Sequence, residues 1–177
     1  RTGSQKRVDK AVRLEQNMNE YEKKMTEYLA QISKGSLTDH QRLIINDLFY
    51  TVSDLERISD HAINICQYTQ ILESRQLNFS EGARREITQM REISLKAMTL
   101  VKDLDAVSLD ALTQVSALEQ RMDDMTVDFR QHQLDRLQTG TCSGETCILY
   151  SEMLTDFERI GDHILNICRT LTSACQL

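Results

Sequence analysis

Asp54-Leu-Glu-Arg-Ile-Ser-Asp-His-Ala-Ile-Asn-Ile-Cys66 returns later in the chain as Asp156-Phe-Glu-Arg-Ile-Gly-Asp-His-Ile-Leu-Asn-Ile-Cys168, identical at nine of thirteen positions with an offset of 102. Within each copy the apolar residues fall three and four apart. Leu55, Ile58, Ala62 and Ile65 form one stripe, and Phe157, Ile160, Ile164 and Ile167 form the other. That spacing makes each copy an amphipathic helix whose seam is expected to face a bundle core. Upstream, Leu14-Glu-Gln-Asn-Met18 matches Leu118-Glu-Gln-Arg-Met122 at an offset of 104, so the repeat takes in the preceding helix as well.

The 177 residues contain no proline and six glycines, which argues against turn-rich sandwiches and barrels. Apolar residues recur at helical spacing through five long segments. The first runs from about residue 5 to Lys34 along Leu14, Met18, Tyr21, Met25, Tyr28, Leu29 and Ile32, and Gly35 ends it. Thr38 with Gln41 three positions on reads as a capping box opening the second segment, which stops at the polar turn Ser74 to Asn78. Ser80 caps a third segment over 81–104, a weak break near Asp105 to Ser108 leads to a fourth reaching about Thr139, and Gly140 to Gly144 lead to the fifth. The fold expected is all-α, one domain over 1–177, with repeat one over 5–75 and repeat two over 80–177. Repeat two has three helices and repeat one has two, so the first helix of repeat one has no counterpart in the sequence.

Twenty-one basic against 27 acidic residues give a net charge of −6, and the pI is near 5.2. Nucleic acid is therefore a poor partner, since phosphate neutralisation needs clustered Lys and Arg. No run of 18 apolar residues and no signal-peptide order occurs. Five cysteines without a Cys-x-x-Cys fit reduced thiols in a cytoplasmic chain. Phosphate-loop, His-Glu-x-x-His and Gly-x-Ser-x-Gly signatures are absent.

The repeated polar residues carry the candidate chemistry. Glu56 and Asp60 are four apart, as are Glu158 and Asp162, and the other repeated helix carries Glu119 and Asp123 where repeat one has Glu15 and Asn19. Each pair sits on one helix face with like charges adjacent, so packing two such faces together either raises carboxyl pKa values or recruits a hard or borderline cation such as magnesium, calcium, manganese or iron. The other reading is a solvated acidic face, and both stay open at this point. Arg57 and Arg159 stand beside the carboxylates as salt-bridge partners. His61 and His163 point away from the carboxylate face and read as polar contacts, and the Glu-x-x-His spacing of di-iron bundles is missing.

The doubled Asp-[Leu/Phe]-Glu-Arg-Ile-[Ser/Gly]-Asp-His motif, preceded by Leu-Glu-Gln-x-Met-[Asn/Asp], resembles the PhoU family of phosphate-uptake regulators. More narrowly, Met25 to Ser33 and Arg136 to Ser143 look like the PhoU-like portion that follows the membrane domain in bacterial sodium/phosphate cotransporter family proteins. The resemblance implies two pseudo-symmetric three-helix bundles, no enzymatic activity, and regulation of phosphate uptake at the inner face of the membrane. It also implies a membrane-embedded transporter partner on the same longer chain, and a homo-oligomer is compatible with it. Through paired [Glu/Asp]-x-x-x-Asp motifs it implies metal ligands at Glu56, Asp60, Glu119, Asp123, Glu158 and Asp162, with Glu15 alone in the matching helix of repeat one. Iron, manganese or magnesium are the ions expected, with repeat two the better site because Asn19 replaces a carboxylate. A purely structural oligomerisation bundle without metal is the alternative.

Overall fold

The computed structural model describes residues 3–102 and 108–174. Five helices follow one another: α1 (Gly3–Ile32), α2 (Asp39–Ser74), α3 (Glu81–Lys102), α4 (Leu109–Gln138) and α5 (Gly144–Ala174). Their ends are set by local chemistry. The Thr38 hydroxyl accepts from the Gln41 N–H at 3.2 Å while the Gln41 side chain accepts from the Thr38 N–H at 2.9 Å, the reciprocal box that opens α2. Ser80 and Ser108 accept from the N–H groups of Ala83 and Ala111 and start α3 and α4 as single caps without the return bond. At the close of α2 the Leu77 N–H reaches back to the Leu72 carbonyl at 2.8 Å, with Gln76 at φ 55°, a left-handed turn that glycine usually supplies. The end of the expected third segment, 103–107, and Cys175 lie outside the described residues.

α2 and α5 form the central pair. α1 leans on α2, while α3 and α4 both pack on α5 and on each other. The principal core is thus a three-helix core of repeat two, built from Met90, Ile93 and Ala97 of α3, Val115, Met122 and Phe129 of α4, and Leu154, Phe157, Ile164 and Cys168 of α5. Ile58 and Ile65 of α2 pack against its edge.

The repeat-one seam departs from the sequence expectation. Ala62 is exposed although its repeat-two counterpart Ile164 is fully buried, and Cys66 is half-buried where Cys168 is fully buried. On α1, Leu14, Tyr21, Met25 and Tyr28 are exposed, although they share an apolar stripe. The physical reason is the helix count: among the described residues α4 packs mainly on two helices and α1 mainly on one, so one side of the α1–α2 pair has no described layer to pack on. Stability should follow this asymmetry. Met122→Ala, at a site with no exposure, is expected to cost about 2–5 kcal/mol, and the matched Met18→Ala less than half of that, compared as urea midpoints under one m-value.

Candidate metal centre

α4 and α5 approach closely where α5 carries Gly161. A Cβ there would lie 3.1 Å from both Sδ and Cε of Met122 and 3.9 Å from Cγ of Glu119, so the bare backbone is what lets α4 settle at this point. The approach brings Glu119 and Asp123 of α4 to Asp162 of α5, with one carboxylate oxygen from each within 4.8 Å of the others. All three side chains are half-buried. Asp123 Oδ1 is itself buried and has no hydrogen-bond partner among the described residues. Burial first, then the charges of Asp123 and Asp162, push the Glu119 carboxyl above its ordinary value, with Arg169 opposing. Burial and the neighbouring Asp162 and Asp124 raise Asp123 likewise. Three crowded carboxylates with an orphaned oxygen are short of positive charge, and an all-oxygen donor set suits a hard or borderline cation rather than a thiolate-seeking one.

The remaining residues of the expected ligand set are placed differently. Glu158 stands outside the trio and faces Arg130 at 3.4 Å, whose guanidinium also donates to Thr155 Oγ1 at 2.9 Å. Its partner sits 28 residues away on α4, so the motif alone could not show the diversion. Arg159 contacts Asp162 at 3.3 Å across three residues, one of the pairings its spacing allows. In repeat one, Glu15 is half-buried and accepts from the exposed Asn19 Nδ2 at 2.6 Å. Glu56 and Asp60 are neighbours, and burial, Asp60 and, more weakly, Glu22 of α1 raise the Glu56 carboxyl while Arg57 opposes them. No three-acid cluster like that of repeat two forms there among the described residues. Ser59 stands where Gly161 opens α5, and Asn19 where Asp123 supplies an oxygen.

His61 and His163 lie on the opposite side of their helices, where α2 crosses α5. His61 Nδ1 is 2.7 Å from Asp156 Oδ1, and His163 Nδ1 is 2.8 Å from Asp54 Oδ1, the two rings stacking with centroids 5.7 Å apart. Each histidine therefore reaches the aspartate of the other repeat. Asn64 Nδ2 adds a contact to Asp156 at 3.4 Å.

A second polar cluster carries no sequence motif. Glu86 of α3 is buried and accepts from Arg136, His132 and the Tyr150 hydroxyl. Burial works to raise its carboxyl, but these three hydrogen bonds outweigh it and hold Glu86 below its ordinary value. The signal available was an acid in phase with the buried stripe Ala83, Met90 and Ile93, a position that demands partners. All of Glu86's visible neighbours are satisfied donors, which makes this cluster a fastening of α3 to α4 and α5.

The family model described as PhoU domain matches the chain in two stretches, residues 1–69 and 87–171. The chain belongs to the PhoU family. It is 28% identical over 128 residues to the phosphate-specific transport system accessory protein PhoU homolog 1 of Thermotoga maritima, across 72% of this chain and 54% of that protein. The chain thus spans about half the length of the curated relative it matches. In fold it resembles the crystal structure of PhoU from Pseudomonas aeruginosa, with a TM-score of 0.75 and 17% identity over 96% of this chain and 81% of that one. Among the described residues, no helix of this PhoU domain is long and apolar enough to cross a membrane.

The raised carboxyls of the trio give a pH signature. A group whose proton affinity is higher in the folded state contributes stability that is present below its unfolded pKa and lost as pH rises through its folded value. At neutral pH the metal-free domain therefore carries repulsion that Asp123→Asn removes. The variant is expected to be more stable than the parent at pH 7 by a few tenths of a kcal/mol, with the gap closing toward pH 4. Urea titrations in chelator at both pH values measure this, and a variant less stable at pH 7 contradicts the arrangement.

Proposed function

We propose that this PhoU domain is a regulatory binding module for phosphate uptake by a membrane transporter, and that its second repeat holds a divalent cation between α4 and α5. The observation that carries the metal assignment is the trio Glu119, Asp123 and Asp162 with the unpartnered, buried Asp123 oxygen. A bound magnesium, manganese or iron ion supplies the positive charge these acids lack, and the three residues hold it across the two helices. Family membership and the accessory role in phosphate transport that the Thermotoga maritima relative is named for support the regulatory half. The narrower reading makes the chain the cytoplasmic portion of a sodium/phosphate cotransporter-type protein at the inner membrane face. It rests on the stretches from Met25 to Ser33 and from Arg136 to Ser143. Action by binding, without catalysis, fits a site made of acids and lacking an activated nucleophile.

Chelator-treated protein titrated with Mg²⁺, Mn²⁺ or Fe²⁺ tests the metal assignment. A ligand at 100 times its Kd adds about 2.7 kcal/mol to the stability of the folded state, which raises the melting temperature of a domain this size by roughly 5–10 °C. Asp123→Asn combined with Asp162→Asn is expected to erase that gain, while Glu56→Gln with Asp60→Asn keeps most of it. No gain with any of the three ions in the parent favours the metal-free structural bundle, a reading supported by Glu158 and Asp162 already facing Arg130 and Arg159.

A further inference from the structure

The connection from α4 to α5 holds two cysteines whose places around a helix cap bring their side chains together. Ser143 caps α5: its hydroxyl accepts from the Thr146 N–H at 3.2 Å, and its carbonyl accepts from the Cys147 N–H at 3.0 Å. Cys142 therefore stands one residue before the cap and Cys147 four residues after it. Those are the two positions whose side chains meet across a helix start, usually as an apolar pair. Here both are free thiols, and Cys147 is the hydrogen-bonding neighbour of Cys142.

Cys142 and Cys147 are half-buried and so open to small reagents, whereas Cys168 is fully buried. Burial raises the thiols of Cys66 and Cys168, and neither has a second described thiol acting on it. The segment around Cys142 can also give. Gly140 holds φ at +70°, and a Cβ there or at Gly144 would meet nothing within 4 Å. An S–S bond of about 2.05 Å is shorter than any contact between unbonded thiols, and this open segment supplies the small inward shift that closure needs.

We propose that Cys142 and Cys147 form a reversible redox site, closed to an intrachain disulfide by a peroxide-class oxidant and reopened by a low-molecular-weight thiol. The Cys147 thiolate attacks one peroxide oxygen, the O–O bond breaks, and the other oxygen leaves as water once protonated. The Cys142 sulfur then attacks the sulfenic sulfur; the S–S bond forms, the S–O bond breaks, and the hydroxyl departs with the Cys142 proton as a second water. Two thiols are oxidised and one peroxide is reduced. Burial first, then Cys147, hold the Cys142 thiol above its ordinary value against the pull of Arg136, which makes Cys142 the resolving partner. Closure also takes Cys142 Sγ away from Gln133 Nε2, its donor at 3.4 Å. Gln133 is almost fully buried, and its side-chain oxygen accepts from Arg136, which in turn holds Glu86. The pair thereby adjoins the fastening of α3. It does not depend on the cation proposed at Glu119, Asp123 and Asp162.

Trypsin leaves both cysteines in one peptide, 137–159, bounded by cleavage after Arg136 and Arg159. The full 177-residue chain is treated with hydrogen peroxide, quenched, alkylated in denaturant and mapped by mass. The peptide is expected to become two hydrogens lighter and to refuse alkylation about tenfold faster than Cys66 does, and dithiothreitol is expected to restore both thiols. Cys142→Ser is expected to leave Cys147 as a sulfenic acid that dimedone traps, with no intrachain bond. Peptide 137–159 still carrying two alkylated cysteines after Cys66 has oxidised overturns the proposal. A bond from either cysteine to another chain, or to Cys66 or Cys168, in place of the bond between them also overturns it. Should Cys142→Ser lose its helical circular dichroism, the mapping of the parent chain decides by itself.

Discussion

The crossing of α2 and α5 is the constraint on which the domain depends. Asp54 and His61 are seven residues apart, two helical turns, and so lie on one face; Asp156 and His163 do the same. When two such faces meet antiparallel, each histidine reaches the other helix's aspartate, giving the 2.7 and 2.8 Å contacts and the stacked rings between them. One copy of the motif cannot satisfy itself in this way. Asp156 is almost fully buried, and a buried carboxylate without donors is costly, so His61 and Asn64 hold it where apolar packing alone would exclude it. The motif's repetition thus gives each histidine the other copy's aspartate across a pseudo-twofold axis, with Asp156 partnered through Oδ1 and its buried Oδ2 left without a hydrogen bond among the described residues.

The same thirteen residues serve a second face. At about 100° per residue, Glu56 and Asp60 lie on the far side of α2 from Asp54 and His61, and Glu158 and Asp162 are arranged alike on α5. One face joins the repeats and the other faces the neighbour within a repeat. What happens on that second face depends on the neighbour. Gly161 lets Met122 of α4 come close and Asp123 completes a trio with Glu119 and Asp162. In repeat one, Ser59 adds a side chain, and Asn19 takes up Glu15 in a local hydrogen bond. Two substitutions separate a concentrated acidic site from a dispersed one.

These particulars also show what the sequence could carry. Helix limits were legible where they are written in adjacent residues, as in the Thr38–Gln41 box and the Ser80 cap, while the Ser108 cap stood inside what the sequence marks only as a weak break. The pairing of α4 with α5 through their acids was legible because both faces follow from spacing. The destination of Glu158 was not, since Arg130 reaches it only through tertiary packing. Glu86 was missed because its donors come from two other helices. The exposure of Leu14 and Met25 was hidden for another reason: periodicity marks an apolar stripe but does not say whether anything covers it.

The electrostatics of the acidic site bear on how such a module could serve phosphate transport. Glu119, Asp123 and Asp162 already resist ionising together, as the raised Glu119 and Asp123 carboxyls show. A phosphate anion brought to that cluster would add like charge, and the chain's net charge of −6 offers no general attraction to compensate. Direct phosphate sensing at the trio is therefore disfavoured by its own charge. In the proposed binding, a cation between α4 and α5 would offset that repulsion, in the repeat whose three helices share one core among the described residues. α5 carries Asp162 on one face and, on another, Asp156 and His163, which hold it to α2. The acidic cluster and the junction of the two repeats thus share one helix, so a charge change at the cluster acts on an element that the junction also uses, with no contact to phosphate required.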